Sequence, residues 1–251
     1  MTPKVSIVVP VFDEIGAAGP LAAEIARAFA GEAFELLFVD DASGDGVGAS
    51  LIALKDEIPQ LRVLVHARNA GQSRALRTGI LAATAPVIVT LDGDGQNDPA
   101  DAPALVATLL NAPACVGLVG GVRVRRRDPA AKRWASLAAN AVRRRLLADE
   151  ASDTGCGLKV FRRDAFLRLA SFDHMHRYLP ALMKREGYGV LFQEVSHRPR
   201  QSGRSKYTNA GRLWAAVSDL LGVLWLKARS RDPGDIREPL NDPAPLAGDG
   251  R

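Results

Sequence analysis

The chain has 251 residues, 47% of them hydrophobic and 24% charged. That composition suits a globular domain with a sizeable core and excludes a disordered or collagen-like chain. A net charge of +5 and a pI near 9.5 favour an anionic partner such as nucleic acid, a phosphorylated substrate or lipid headgroups, without choosing among them.

Short runs rich in Val, Ile and Leu alternate with alanine-rich helical patterns, which predicts βαβ units around a mostly parallel sheet of the α/β class. In chain order the predicted strands are Val5–Pro10, Glu35–Asp40, Leu61–His66, Val87–Leu91 and Val116–Val122. The helices between them are Leu21–Ala30, Val47–Ile58, Ser73–Ala83 and Ala104–Leu110. From Arg123 to Arg145 nine Lys or Arg stand against the single acid Asp128, with an apolar stripe of Trp134, Leu137, Ala138 and Ala141. One aromatic ring in that segment gives no stacking platform, which argues against a nucleic-acid module. A strand at Leu158–Phe161, helices at Ala165–Leu169 and Tyr178–Arg185, and a strand at Val190–Val195 follow. A polar loop, His197 to Thr208, leads to a helix at Gly211–Arg229, and the Pro, Gly and Asp content beyond Asp232 predicts a disordered tail. The expected organisation is a catalytic domain over 1–209, an amphipathic helix over 210–229 and a tail over 230–251.

Cys115 and Cys156 lie far apart without metal-ligand spacing, and both read as small packed residues. The N-terminus lacks the long apolar run of a signal peptide, and no stretch reaches the ~18 uninterrupted apolar residues of a spanning helix. The expectation is a cytoplasmic protein, peripheral on the inner face of a membrane if it meets one. Leu213, Trp214, Val217, Leu220, Leu221, Leu224, Trp225 and Leu226 in the last helix, with Arg212, Asp219, Lys227 and Arg229, suit the membrane interface. Packing of that helix on the core or on a partner protein is the other reading.

Ligands of open α/β sheets sit beyond the carboxyl ends of the strands. Those positions are acidic here. After the first strand stands Pro10-Val11-Phe12-Asp13-Glu14, with no GxGxxG for a dinucleotide and no P-loop. After the second come Asp40-Asp41-Ala42-Ser43-Gly44-Asp45-Gly46, whose carboxylates suit a nucleobase or ribose, or equally an Asx turn with a helix cap. After the fourth come Asp92-Gly93-Asp94-Gly95-Gln96-Asn97-Asp98. Residues two apart in an extended segment point to one side, so Asp92 and Asp94 can approach one ion, or one ribose and ion together, although a surface turn rich in Asp and Gly would read the same. Two hard oxygen donors suit Mg²⁺ or Mn²⁺ completed by substrate phosphates and water.

Together, the V-x-V-V-P-V-F-D-E start, V-D-D-A-S-G-D-G, R-N-A-G-Q and L-D-G-D-G-Q-N-D-P resemble the family 2 glycosyltransferases, in their polyprenyl-phosphate, dolichol-phosphate mannosyltransferase-like branch. The resemblance continues through Gly121-Val122-Arg123, Lys132-Arg133, Asp153 to Lys159, His176 to Pro180 and Arg198 to Tyr207. It implies a GT-A fold and an inverting transfer of a hexose from a nucleotide sugar to a polyprenyl phosphate. It further implies that Pro10, Glu14 and Asp41, or Asp40 in its stead, hold the nucleoside, and that Asp92, Asp94 and Gln96 hold the metal and diphosphate. Arg123 and Arg133 would bind the acceptor phosphate, and Arg204, Ser205 and Lys206 would close over the donor phosphates. A phosphate acceptor is already anionic and needs no general base. An acceptor sugar hydroxyl or glycolipid would need one, for which Asp153 is the candidate. Asp13 stands where the family more often has Asn, Gly95 where it has a larger apolar residue, and the Q-x-x-R-W motif of processive relatives is missing.

Overall fold

The structure is a computed structural model, described for residues 2–123, 145–147, 149, 151, 153–198 and 209–230, with the side chains of 209–216 left aside. Arg133, Arg204, Ser205 and Lys206, and the tail beyond 230, therefore lie outside the described residues.

Seven strands form one sheet in the order β3-β2-β1-β4-β6-β5-β7. They are β1 (Val5–Val11), β2 (Phe34–Asp40), β3 (Leu61–Val65), β4 (Val87–Thr90), β5 (Val116–Arg123), β6 (Lys159–Arg162) and β7 (Gly189–Val195). All neighbours run parallel except β6, which is antiparallel to both β4 and β5. The α/β reading thus holds. β1, β2 and β4 are buried along their whole length, as expected of parallel strands covered on both faces.

The main helices are α1 (Ile15–Ala28), α2 (Val47–Ala53), α3 (Gln72–Ala82), α4 (Ala102–Asn111), α5 (Arg163–Leu167), α6 (Leu179–Arg185) and α7 (Asn209–Ala228). Most boundaries agree with the sequence reading to within two residues, and two helix boundaries depart further. α1 starts at Ile15 rather than Leu21, running through Gly16, Gly19 and Pro20, because Ala17, Ala18, Leu21, Ala22 and Ile25 make one buried stripe. Core burial along that stripe outweighs the hydrogen bond that Pro20 cannot donate. α2 ends at Ala53 rather than Ile58. The chain tightens into turns there, and Ile58, preceding Pro59, is disfavoured in a helix.

One core cluster lies under α1, α2 and α4, and a second, built on Leu37, Ile80, Phe161, Phe166 and Leu182, lies under α3, α5, α6 and α7. At the end of the sheet away from the acidic loops, Glu35 accepts hydrogen bonds from Ser6 (2.6 Å), the Thr84 hydroxyl (2.8 Å) and the Arg62 guanidinium (2.5 Å). Burial alone would raise its pKa; these bonds, with the Thr84 amide, override that and hold it below the usual carboxylate value. The network pins β1, β2, β3 and the entry to β4 together.

Candidate active site

The order β2-β1-β4 brings the ends of three parallel strands side by side, and with them Pro10 to Glu14, Asp40 to Gly46 and Asp92 to Asp98. The packing between the first and third is close. A Cβ added to Gly93 would fall 2.6 Å from the Pro10 carbonyl oxygen and 2.7 Å from Val11 Cγ1, so only glycine lets the chain after β4 lie against β1.

The loop after β2 is held by its own acids. Asp41 is buried, and its carboxylate accepts from the amides of Ala70 (2.9 Å) and Gly71 (2.7 Å) and pairs with His66 Nδ1 at 2.7 Å. Asn69 Nδ2 donates to the Asp41 carbonyl at 3.2 Å. Asp40 accepts from the Ser43 amide at 2.9 Å, and a Cβ on Gly48 would come 2.5 Å from its Oδ2. The Asp40 contact is a local turn of the Asx kind, whereas Asp41 reaches across the sequence and forms the floor on which the R-N-A-G-Q loop rests. Asp13 adopts a positive φ of 52°, a conformation Asn and Asp tolerate best, and accepts from the Gly44 amide at 2.8 Å.

Asp92 and Asp94 are partly buried at the mouth formed by these loops. Gln72 Nε2, at the start of α3, donates to Asp92 Oδ1 at 2.8 Å. The Asp92 amide donates to Asn97 Oδ1 at 3.1 Å, and the Gln96 amide donates to Asp94 Oδ1 at 3.1 Å, closing the segment on itself. Burial, then the charge of Asp94, pushes the Asp92 carboxyl above its ordinary pKa, against the cations Lys159 and Arg123 and the Gln72 hydrogen bond. A buried carboxyl whose pKa is raised partly by a neighbouring carboxylate marks a place where a cation is favoured. Among the described residues no group of three His, Cys, Asp or Glu could hold a metal. The donor set therefore fits a hard divalent ion that takes its remaining ligands from phosphate and water, not a full protein cage.

β6, antiparallel to β4, delivers the other wall. Lys159 is buried, and its ammonium donates to the Cys156 carbonyl. Burial lowers its pKa, opposed chiefly by Cys156, Asp92 and Asp153. Arg123, at the end of β5, forks onto Asp153, with Nε to Oδ2 at 2.7 Å and Nη2 to Oδ1 at 2.8 Å. The two residues singled out for acceptor binding and for base chemistry are thus one ion pair, 14% and 6% exposed at their side chains. Burial opposes the charge on Arg123, and Asp153 overrides it, so its pKa stands above the ordinary arginine value. Cys156 is a buried packing residue, its thiol pushed up by burial, as its spacing led one to expect. Cys115, by contrast, is exposed.

On the α3 side, Ser73 Oγ lies 2.8 Å from His176 Nδ1. Burial, then Lys159, Arg177 and His174, holds the imidazole well below its ordinary pKa and hence neutral. Gln72, Ser73, Lys159 and Gly157 had no assigned role in the sequence reading, although three of them stand in quoted motifs. Their functions come from pairings across dozens of residues, which a linear pattern does not carry.

The family model for glycosyl transferase family 2 matches residues 6–169. A dodecaprenyl-phosphate galacturonate synthase of Rhizobium johnstonii is 32% identical over 240 residues, covering 92% of this chain and 69% of that protein. An undecaprenyl-phosphate 4-deoxy-4-formamido-L-arabinose transferase of Pseudomonas paraeruginosa is 32% identical over 221 residues, 86% of this chain and 64% of that protein. The chain thus spans about two thirds of the length of these relatives. Among solved structures, a glucosyl-3-phosphoglycerate synthase from Mycobacterium tuberculosis, in complex with Mn²⁺, uridine diphosphate and glucosyl-3-phosphoglycerate, superposes with a TM-score of 0.70 at 18% identity, over 92% of this chain and 82% of that one. A mannosyltransferase from Pyrobaculum calidifontis in complex with GDP-Man and Mn²⁺ gives 0.63 at 21% identity, over 92% and 66%. The structural likeness shows the fold, a GT-A one. With the Asp92 to Asp98 segment and the loops beside it inside the matched span, the chain belongs to glycosyl transferase family 2.

Proposed function

We propose that this glycosyltransferase moves a hexose from a nucleotide sugar to a polyprenyl phosphate, with inversion at the anomeric carbon and release of a nucleoside diphosphate. The observation that carries the reading is the Arg123–Asp153 pair. A carboxylate gripped by a two-pronged guanidinium is a holder of that arginine, and an arginine held beside Asp92 and Lys159 suits an anionic acceptor. The two curated relatives, both named for polyprenyl-phosphate substrates, support the same choice.

In this reading Asp92 and Asp94, with Gln96 beside them, hold Mg²⁺ or Mn²⁺. The ion supplies charge neutralisation to the departing diphosphate. Pro10, Glu14 and the Asp40–Asp41 loop frame the nucleoside, the two acids by ordering backbone amides. Lys159, buried beside Asp92, forms the wall on the β6 side of the carboxylates. The acceptor phosphate oxygen attacks the anomeric carbon from the face opposite the leaving diphosphate. One C–O bond forms as the other breaks, which inverts the centre and requires no proton transfer from the acceptor. Arg133, Arg204, Ser205 and Lys206 are assigned to the acceptor and donor phosphates on the resemblance alone.

The test is transfer of radiolabelled sugar from a panel of nucleotide sugars, with undecaprenyl phosphate or with glycolipid and free-sugar hydroxyl acceptors. The expected result is product only with the lipid phosphate. Arg123→Ala should raise the KM for the lipid phosphate about ten- to a hundred-fold, the scale of one lost charged hydrogen-bonding group, and change the KM for the nucleotide sugar far less. Transfer to a hydroxyl without lipid phosphate would make Asp153 the base, and equal loss of both affinities would move Arg123 out of the acceptor site.

No helix among the described residues is long and apolar enough to cross a membrane. α7 is two-faced. Val223 is buried, and Leu220, Leu224 and Leu226 pack on the second core cluster. Val217, Leu221 and Trp225, four residues apart, are exposed, and the Arg229 guanidinium lies 5.9 Å from the centre of the Trp225 ring. An outward apolar stripe with the Arg229 cation at its end supports contact with a membrane surface, where the lipid acceptor resides. Leu221→Glu with Trp225→Glu should abolish co-sedimentation with anionic vesicles at low salt and leave the melting temperature near that of the parent. A parent protein that ignores such vesicles would sink this assignment in favour of a membrane partner protein.

A further inference from the structure

The segment that carries the two metal carboxylates is short of anchors of its own. Between Leu91 and Pro99 it carries two internal bonds, Asp92 N to Asn97 Oδ1 and Gln96 N to Asp94 Oδ1, with Gly95 at a φ of +73°, and it is touched from outside by Gln72 on Asp92 and by Cys156 on Asn97. Bonds of a loop to itself fix its curvature but not its place. Its upstream end is set by β4 and by the contact of Gly93 with β1. Its downstream end runs into a helical turn at Pro99–Asp101 that Asp98 caps, and Asp98 is also held by a residue 100 positions away, Arg198, which reaches it from beyond β7.

Arg198 makes four contacts there. Its amide donates to the Gln96 carbonyl at 3.0 Å. Its guanidinium forks onto Asp98, Nε to Oδ2 at 3.1 Å and Nη2 to Oδ1 at 2.7 Å, and its third nitrogen, Nη1, donates to Glu24 Oε2 on α1 at 2.5 Å. The neighbouring residues extend the seam. His197 forms an antiparallel bridge with Asn97, and the Ser196 amide donates to Asp101 Oδ2 at 2.6 Å. Asn97 is the residue that receives the Asp92 amide and is itself buried. A chain of direct contacts therefore runs from Glu24 through Arg198 and the Gln96–Asp98 backbone to Asp92. The planar fork suits this task and a lysine does not, because one ammonium cannot bridge two carboxylates on different elements with fixed direction.

We propose that Arg198 is a positioning residue for the metal and diphosphate loop: by clamping Gln96 and Asp98 to α1 it fixes the backbone from which Asp92 and Asp94 project. Its guanidinium engages Asp98 and Glu24 rather than the two metal carboxylates. The proposal rests on the reading of Asp92 and Asp94 as the metal carboxylates, and placement errors of about 1 Å at such groups are felt strongly in catalysis. The alternative is an ordinary surface ion pair. The side chains of Arg198, Glu24 and Asp98 are 33%, 26% and 21% exposed, and pairs of that exposure often contribute little to stability.

The experiment compares Arg198→Met, Arg198→Lys and Asp94→Asn in the full chain, with Arg163→Met as a matched control. Arg163 donates to the Ile80 and Leu81 carbonyls at the far end of α3, so its loss removes a comparable surface arginine away from the loop. Mn²⁺ affinity is measured from free-ion electron paramagnetic resonance, and amide hydrogen exchange is followed across residues 92–98 without metal. Arg198→Met should weaken Mn²⁺ binding roughly ten-fold and speed exchange at the Asp92 and Gln96 amides. Arg198→Lys should recover little of either, and Arg163→Met should leave both unchanged at a similar melting temperature. Unchanged exchange and Mn²⁺ affinity in Arg198→Met, with Asp94→Asn abolishing binding, would overturn the role of Arg198 alone. A parent chain that binds no Mn²⁺ would overturn the metal reading and this proposal with it.

Discussion

Asp94→Asn is expected to reduce sugar transfer by about a hundred- to a thousand-fold while the melting temperature moves by less than about 2 °C. Asn keeps the shape of Asp and its Oδ1, so the Gln96 amide retains its acceptor and the loop its curvature. What is lost is one negative charge facing Asp92. The consequence for Asp92 runs in a known direction. Part of what raises its pKa is the charge of Asp94, so removal of that charge lets Asp92 ionise more readily. A better-ionised Asp92 with a neutral neighbour is still one hard ligand short, and a hard divalent ion held by one carboxylate is held weakly. Mn²⁺ affinity should therefore fall along with turnover. Near-normal turnover in a well-folded Asp94→Asn protein would remove the metal from this loop altogether.

The part of the site that the sequence discloses is the part carried by local order. Asp92 and Asp94 stand two apart directly after a buried apolar run, so strand, chain reversal and paired carboxylates are all readable within ten residues. The sheet was readable for the same reason, because apolar runs such as Val87–Thr90 and Phe34–Asp40 are too short for helices and too uniformly apolar for exposed strands. α1 was misjudged at its start because Gly16, Gly19 and Pro20 are poor helix formers, and only the buried stripe they precede decides in favour of a helix. Asp40 and Asp41 show the limit most clearly. Their position and chemistry suit a nucleoside, and the structure shows both carboxylates engaged by the chain's own amides and by His66, a fact set by β2 lying beside β3 and under the loop that leads into α3. Arg123 and Asp153 each read as having a separate task, and only the fold, which brings the segment before β6 to the end of β5, makes them partners.

Gly157 carries the second large effect. It belongs to the D-T-G-C-G-L-K run, where a pattern of small residues says nothing of its purpose. In space it lies against Asp92. A Cβ added there would fall 2.3 Å from both Cγ and Oδ2 of Asp92 and 2.6 Å from Oδ1, far inside contact distance. Neither side can retreat cheaply. The Gly157 carbonyl accepts from Thr90 Oγ1 at 2.9 Å, and its neighbours Cys156 and Leu158 are fully buried, so the backbone is held. The Asp92 side chain must then rotate, leaving Gln72, whose amide now holds Oδ1 at 2.8 Å. Gly157→Ala should thus cost about 1 to 3 kcal/mol of stability, the usual range for overpacking. It should lower turnover by about a hundred-fold through the displaced carboxylate, a larger loss than that destabilisation explains in protein assayed well below its melting temperature. Gly222→Ala is the control, since a Cβ on this α7 residue meets nothing within 4 Å and alanine favours the helix. It should leave turnover and Mn²⁺ affinity untouched. If Gly157→Ala lowers the melting temperature but binds Mn²⁺ and turns over as the parent does, then Asp92 does not need its present rotamer, and Asp94 would have to anchor the ion without it.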